Sequence, residues 1–538
     1  MTGARDDGVL DVLVVGAGPT GLALAAELRR YGVRFRLVDR APDRVHESRA
    51  LAIQPRTLEV LAGLGVTGRL VEHGNRTVQL RLHTGRRTVS MPLFDIGLDD
   101  TVYPYLLFLA QAETERVLVE HLARHGVRPE RGTELVGLEQ DADGVTCRLR
   151  VAGSGEETVT ARYVVGCDGA HSAVRRWAGI DFEGLAYPQT FVLADLEADG
   201  IEPGAAHAFL GGNGLSFFFP LQTPASWRLL AMRPPGGPAP TGRRVELSEL
   251  QTLADAATAS TVRLHDSVWA TDFRIANRGA TRYRSRRVLL AGDAAHIHSP
   301  AGAQGMNTGI QDSVNLGWKL GLVVTGRGAP ALLDTYEAER APVGRRVLRF
   351  TDRAFTIGTS SNPLIRAARG HVVPAVLPLA TRFRRVRGYG FRTLAQLAIR
   401  YRHSPLSAGD RRRSGRGPRP GDRLPDAPVT HGGRATTLHA ALGGPGFHLL
   451  LCSPGGVWPA PAGADLAAAH PGLVTVHRLS RGGGPDVLVD HTGRAGRLLG
   501  LGGDAVHLLI RPDGHLARRG DTDLTAVRDD LARWLPTT

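Results

Sequence analysis

Three glycines define the first piece of chemistry in this chain. Gly16, Gly18 and Gly21, in Gly16-Ala-Gly18-Pro19-Thr20-Gly21, follow the apolar run Asp11 to Val15 and precede Leu22-Ala-Leu-Ala-Ala-Glu-Leu-Arg-Arg, a stretch of good helix formers. Strand, glycine turn and helix occur in the order a pyrophosphate cradle requires. Gly16 permits the tight turn, Gly18 lets the backbone approach phosphate oxygens with no side chain between, and Gly21 lets the helix pack close to the strand. The helix start at Pro19 and Thr20 then offers unpaired N–H groups and a positive dipole end to the phosphates. A second strand, Arg34 to Val38, ends at Asp39-Arg40, with the Asp39 carboxylate placed to accept hydrogen bonds from a ribose hydroxyl. A glycine turn alone is weak evidence in a chain with 67 glycines. Here strand, helix and acidic residue coincide, which specifies a dinucleotide and leaves open which one.

Two distant segments narrow the choice. In Arg162-Tyr-Val-Val-Gly-Cys-Asp168-Gly169-Ala-His-Ser172-Ala-Val-Arg175, an apolar strand again ends in an acidic residue and glycine, although Asp168-Gly169 alone reads equally well as a plain turn. In Arg287-Val-Leu-Leu-Ala-Gly292-Asp293-Ala-Ala-His296-Ile-His298-Ser-Pro300-Ala-Gly302-Ala-Gln-Gly305-Met306-Asn307-Thr-Gly-Ile-Gln-Asp312, a strand ending in Gly-Asp leads through a glycine-rich loop into a long apolar helix. Asp293 can accept from ribityl hydroxyls, and the loop from Gly302 to Asn307 can lay bare backbone against a flat ring. The helix start would point its positive end at the ring edge where negative charge develops on reduction.

In this order and spacing the three motifs resemble those of the single-component FAD-dependent aromatic hydroxylases, the para-hydroxybenzoate hydroxylase type or group A flavoprotein monooxygenases. Residues 1–345 carry the match. The resemblance implies that Ser48-Arg49 and Pro55-Arg56-Thr57 run along the cofactor, with Arg49 meeting FAD. It also implies that Gln111, in the Gln111-x-x-x-Glu115 helix, contacts the ribityl chain, and that Asp168, Gly169 and Arg175 serve as cofactor residues. The cofactor set is therefore Gly16, Gly18, Pro19, Thr20, Gly21, Asp39, Arg40, Arg49, Gln111, Asp168, Gly169, Arg175, Gly292, Asp293, Pro300, Gly302, Gly305, Met306 and Asn307. Where many relatives have Gly-Gly-Gln-Gly, this chain has Gly302-Ala303-Gln304-Gly305, so a methyl tightens the loop beside the ring. NADPH is implied as a transient visitor, since no second complete glycine motif exists, and O2 as co-substrate through a flavin C4a-hydroperoxide. The catalytic base is not identified: His296 and His298 lie beside the motif, but a histidine in such a turn is more often structural. The implied substrate is a polycyclic aromatic polyketide. The alternatives are a simple-phenol hydroxylase, a Baeyer–Villiger-type or antibiotic-modifying monooxygenase of the same family, or, from another class, a flavin-binding scaffold or redox-neutral protein. A flavin halogenase is disfavoured because Trp-x-Trp-x-Ile-Pro is absent.

The elements that must hold these residues follow from pattern. The expected fold is α/β: a Rossmann-like FAD-binding domain split into 1–180 and 279–402, and an inserted, mainly antiparallel β substrate domain at 181–278. The second part of the FAD-binding domain ends in a helical segment at 346–400, with apolar periodicity at Leu364, Val372, Leu379, Leu394 and Leu397, and a linker spans 403–425. The thioredoxin-like C-terminal domain at 426–538 lacks C-x-x-C. Runs from Thr190 to Asp195, Ala206 to Leu210, Leu215 to Phe219 and Trp227 to Met232 read as strands; Phe217, Phe218, Phe219, Trp227 and Trp269 are sheet core before they are pocket walls. At 538 residues and 42% hydrophobic content there is room for several domains, and no run reaches the roughly 18 apolar residues of a membrane span. The net charge of +14 comes with one lysine, Lys319, and dispersed arginines, a composition bias rather than a nucleic-acid footprint. Cys147, Cys167 and Cys452 are too dispersed for a disulfide framework or a metal site, so no metal is expected and the cytoplasm fits. A homo-oligomer is compatible with all of this.

Overall fold

The structure is a computed structural model that describes residues 8–44, 50–76, 79–84, 87–92, 98–210, 215–221, 225–234, 240, 244–299, 303–359, 362, 384–409, 417–456, 458, 462–484 and 486–536. Arg49, Pro300 and Gly302 of the cofactor set lie outside the described residues, as do Leu364, Val372 and Leu379. In chain order the elements used below begin with β1 (Leu10–Val15), α1 (Pro19–Arg30), β2 (Phe35–Asp39), α2 (Pro55–Gly63), α3 (Gln111–Ala123), β3 (Gly155–Gly166) and α4 (Ala173–Trp177). They continue with β4 (Phe182–Asp199), β5 (Leu215–Pro220), β6 (Trp227–Met232), α5 (Leu247–Thr258), β7 (Arg263–Ala280), β8 (Val288–Leu290), α6 (Gly305–Val324) and α7 (Asp334–Thr359).

The nucleotide-binding sheet runs in the order 284–285, β8, β3, β1, β2, 130–131, with β8, β3, β1 and β2 mutually parallel. Val12 to Val14, Val164, Val165 and Val288 to Leu290 are all fully buried, as expected of parallel strands covered on both faces. α1 and α6 approach closely because α6 presents a small-residue row at i, i+4 spacing. A Cβ on Gly309 would lie 2.4 Å from Thr20 Oγ1, one on Gly317 2.6 Å from Glu27, and one on Gly321 2.7 Å from Tyr31. Ser313, the remaining member of the row, donates to the Thr20 carbonyl at 2.6 Å.

The second sheet has the order 296–297, β7, β4, β6, β5, 205–210, 79–84, 87–92. Its strands at 79–84 and 87–92 fall inside the segment expected to belong wholly to the nucleotide domain. Ala205 to Phe209 pair in parallel with Gln79 to His83, a non-local pairing that no local pattern records. Strand alternation sorts the aromatics. Phe218 and Trp227 face α5 with Leu229, Leu250 and Ala254, whereas Phe217, Phe219 and Trp269 share the opposite face with Phe191, Leu193 and Phe355 of α7.

The C-terminal sheet is built around β9 (Phe447–Cys452), α8 (Ala464–Ala469), β10 (Val474–Ser480), β11 (Val506–Ile510) and β12 (Leu516–Gly520). β9 is parallel to β10 and antiparallel to β11, which pairs with β12, giving the thioredoxin-like order β12-β11-β9-β10. The domain is not a free-standing unit. Phe447, Leu449, Leu473, Val527 and Trp534 belong to the same buried cluster as α1 and α6, and Phe447 meets Trp318 edge-on at 5.7 Å. The flanks of the expected linker are packed as well: Leu406, Arg423 and Leu424 are buried, and Ser404 Oγ donates to Glu339 at 2.5 Å. Among the described residues no helix is long and apolar enough to cross a membrane, and no His/Cys/Asp/Glu group suits a metal ion.

Candidate active site

The three motif loops leave the C-terminal ends of β1, β3 and β8, which are neighbours in one parallel sheet. They are stitched together by backbone: Gly16 N–H donates to Val38 O at 2.8 Å, Cys167 N–H to Val15 O at 2.7 Å, and Ala291 N–H to Gly166 O at 2.9 Å. The loop ends of a parallel sheet are where such folds bind ligand. Gly16 sits at φ +104, and a Cβ there would come 2.4 Å from Cys167 O; one on Gly21 would lie 1.9 Å from Gly16 O. These two positions need glycine for the fold itself. Gly18 differs, because a Cβ there would meet nothing within 4 Å. It caps α1, which has Pro19 in its first turn and no side-chain hydrogen bond at its start, so open space and donor-bearing backbone coincide. The residues present fit a dinucleotide pyrophosphate.

Asp39 ends β2 as expected. Its carboxylate accepts from Ala17 N–H at 2.7 Å and Ala41 N–H at 2.8 Å, which fixes it beside the glycine turn with lone pairs to spare for a ribose. Arg40 is exposed. Gln111 opens α3, takes the Ala50 carbonyl with its backbone N–H at 3.0 Å and donates to Glu115 at 2.8 Å. Burial pushes the Glu115 carboxyl up to about 7, against the pull of that hydrogen bond.

Other members of the cofactor set tie the loops together. Asp168 caps α4, accepting from Ser172 Oγ at 2.5 Å and Ala173 N–H at 2.7 Å. Arg175 is buried and bridges two loops, donating to Ala294 O at 2.8 Å and Ala170 O at 2.9 Å. Gly169 (φ +77) makes the turn between them, and Gly292 (φ +64) abuts Thr20, while Asp293 is exposed.

Asn307, fully buried in the first turn of α6, accepts from Gln54 N–H and donates to Ala52 O and Ala303 O, each at 2.8 Å. Gly305 begins the helix, and Met306 packs into the large core cluster. Ala303 adopts φ +51, the left-handed region that favours glycine, so its methyl carries a backbone cost of about 1 kcal/mol. Ala303 packs against the apolar cluster of Leu51 and Phe108, on which Phe219 also packs, and this brings the start of α6 to the aromatic face of the second sheet. Asn307→Asp would turn one donor pair into a carboxylate oxygen facing two carbonyls. Urea unfolding should show a loss of about 2–3 kcal/mol, whereas an unchanged midpoint would deny the clamp.

Two features escape local reading. On the aromatic face Arg228 pairs bidentately with Asp195 at 2.6 and 2.7 Å, Trp269 Nε1–H donates to Asp195 at 2.8 Å, and Arg228 reaches Ala50 O at 3.2 Å. The second is Asp312, fully buried, which accepts from Gly292 N–H at 3.0 Å and Arg340 Nε at 2.6 Å and meets His296 Nε2 at 2.7 Å. Asp312 closes the third motif as a letter in the sequence, but nothing in its spacing announces that it ties the strand-end turn to α7.

Comparison with known proteins matches residues 9–351 to the FAD binding domain family and residues 417–537 to the aromatic-ring hydroxylase C-terminal family. The chain is 36% identical over 537 residues to the 6-methylpretetramide 4-monooxygenase of Streptomyces rimosus, covering 96% of this chain and 92% of that protein. Aklavinone-11 hydroxylase, solved with FAD and aklavinone, superposes with a TM-score of 0.80 at 28% identity over 99% of both chains. The Diels-Alderase PyrE3 of pyrroindomycin biosynthesis superposes with a TM-score of 0.73 at 29% identity, over 98% of this chain and 99% of its own.

Proposed function

Because the chain belongs to the FAD-binding aromatic-ring hydroxylases, we propose that it is an NADPH- and O2-consuming monooxygenase that hydroxylates a polycyclic aromatic polyketide. One observation carries this reading: three strand-end loops and the start of α6 meet at one edge of a parallel sheet, directly against an aromatic face of the antiparallel sheet. FAD, when bound, supplies the reducible ring and the activation of O2.

The rest is done by this chain's residues. Gly18 and the start of α1 would take the pyrophosphate, Asp39 the adenosine ribose, and Asp293 with Gln111 the ribityl hydroxyls. Phe217, Phe219 and Phe108, stacked in sequence at 5.9 and 6.2 Å, offer flat apolar surface to fused rings and exclude water beside the loop at Ala303. The Asp195–Arg228 pair holds the edge of that surface to the backbone at Ala50.

Purified protein loaded with FAD should oxidise NADPH faster when a polycyclic phenol is added, and labelled O2 should leave one labelled oxygen in the product. The likeness to a Diels-Alderase makes the opposite result informative. An FAD-bound protein indifferent to NADPH in the presence of every fused-ring phenol tried would favour a redox-neutral role.

A further inference from the structure

We infer that Asp312, His296 and His298 form a relay of fixed tautomers that presents His298 Nδ1 as the acceptor for a proton from an acidic hydroxyl of the bound aromatic ligand. The inference rests on the proposed function for its ligand and on the hydrogen-bond geometry around Asp312 for the relay. Asp312 is buried and ionised: burial works to raise its pKa, but the Arg340 guanidinium at 2.6 Å overcomes it and holds the carboxyl below its usual value. An ionised Asp312 only accepts, so His296 Nε2, at 2.7 Å from it, carries the hydrogen. With its single hydrogen on Nε2, the His296 ring has a bare Nδ1, and His298 Nε2 lies 3.2 Å from that atom. His298 must therefore hold its hydrogen on Nε2 and leave Nδ1 as a lone pair. The two rings stack at 5.2 Å, so neither can flip without breaking the chain.

The free edge of His298 lies beside the start of α6. A Cβ on Gly305, first residue of α6, would lie 3.6 Å from His298 Cε1 and 3.7 Å from Nδ1. Among the described residues no hydrogen bond is made by His298 Nδ1. A ligand hydroxyl that gives its proton to this atom lets the Nε2 hydrogen pass to His296 Nδ1, and the positive charge then rests on His296 against the Asp312 carboxylate. The proton count balances: one leaves the hydroxyl, one is gained by the His pair, and the ligand becomes the anion that aromatic oxygenation requires.

The charged and titratable groups around the pair are few. α6 contributes Asp312, α7 contributes Arg340 and Tyr336, the turn before β8 contributes Tyr283 stacked on His296 at 6.0 Å, and β7 contributes the exposed Arg278 through its pairing with Ile297. Tyr401 holds Arg340 from the far side at 2.8 Å. Burial pushes His298 down to about 3, so the ring is neutral at neutral pH and a proton that reaches Nδ1 is not held there but passed on to His296.

The experiment uses FAD-loaded full-length protein and alizarin, a dihydroxyanthraquinone whose colour reports its ionisation. Alizarin on the unsubstituted protein should ionise about tenfold more readily than on His298→Leu, a change of about one pH unit in its colour titration. His298→Gln should restore little of it, since an amide is no base. Nitrogen NMR of histidine-labelled protein supplies an independent readout: His298 should carry hydrogen on Nε2 and none on Nδ1 at neutral pH. A dye that titrates alike on both proteins, or a hydrogen on Nδ1, overturns the relay even if NADPH and O2 are consumed as proposed. Absence of NADPH consumption, with the dye shift and tautomer as stated, would instead fault the functional reading alone.

Discussion

Gly21→Ala should weaken FAD binding by about 10- to 100-fold and destabilise the protein by about 1–3 kcal/mol, whereas Gly18→Ala should weaken FAD binding alone. The difference comes from what each new methyl would meet. At Gly21 it would lie 1.9 Å from the Gly16 carbonyl oxygen, a backbone atom with no rotamer to yield, so α1 must move off β1. At Gly18 it would meet nothing within 4 Å, and the backbone there has φ −77, which alanine adopts without strain. Stability of Gly18→Ala without cofactor should stay within about 0.5 kcal/mol of the unsubstituted protein, because no packed group is disturbed. Flavin fluorescence titration and urea unfolding without cofactor separate the two effects. If Gly18→Ala binds FAD as tightly as the unsubstituted protein, the space over Gly18 is not the pyrophosphate site.

Arg511→Met should cost about 3–5 kcal/mol in urea unfolding, although Arg511 lies far along the chain from every motif. Its guanidinium is fully buried, donating to both oxygens of Glu339 at 2.6 and 2.8 Å and to Asp513 at 2.5 Å. Lys319, the chain's one lysine, completes the group at 2.7 Å from Glu339, and Asn315 bridges Glu339 and Asp513 at 2.7 and 3.1 Å. Removing Arg511 leaves two buried carboxylates with one cation. The loss should also lower FAD affinity, because the Asp513 carbonyl accepts from Arg56 at 2.6 Å, and Arg56 stands on α2, whose N-cap Gln54 is held by Asn307. A variant within about 0.5 kcal/mol of the unsubstituted protein would mean the C-terminal domain does not brace the nucleotide domain.

The same cluster sets an acid limit. Burial works to raise the Glu339 carboxyl, but Arg511 and Lys319 prevail and hold it at about 2, below the 4.5 of an unfolded chain. A depressed carboxylate contributes stability that is whole above the unfolded value and is lost as pH falls through the folded one. Unfolding free energy should therefore decline between about pH 4.5 and 2, and Glu339→Gln should flatten that part of the profile.

Much of the nucleotide site was legible in the chain because its chemistry is local. The glycines at 16, 18 and 21, the strand that ends at Asp39, and the two Gly-acid strand ends each state within a few residues what the backbone must do there. The small-residue row at 309, 313, 317 and 321 was equally open to reading, although only the packing of α6 on α1 gives it meaning. Local pattern could not separate Phe218 from Phe217 and Phe219 by role, since which side of a sheet is the ligand side depends on the layers stacked against it.

From the order of residues alone came the kind of cofactor, the class of fold and the loops proposed to grip the nucleotide, because turn geometry and strand or helix periodicity act over short spans of chain. The tertiary structure alone decided that Asp168, Arg175 and Asn307 hold loops together. It also decided that strands at 79–84 and 87–92 complete the second sheet, that the C-terminal domain shares the nucleotide domain's core, and that Asp312 meets His296. Each of these depends on partners tens to hundreds of residues apart, and burial in a low-dielectric interior makes such distant polar partners obligatory without leaving a local trace of which residue will serve.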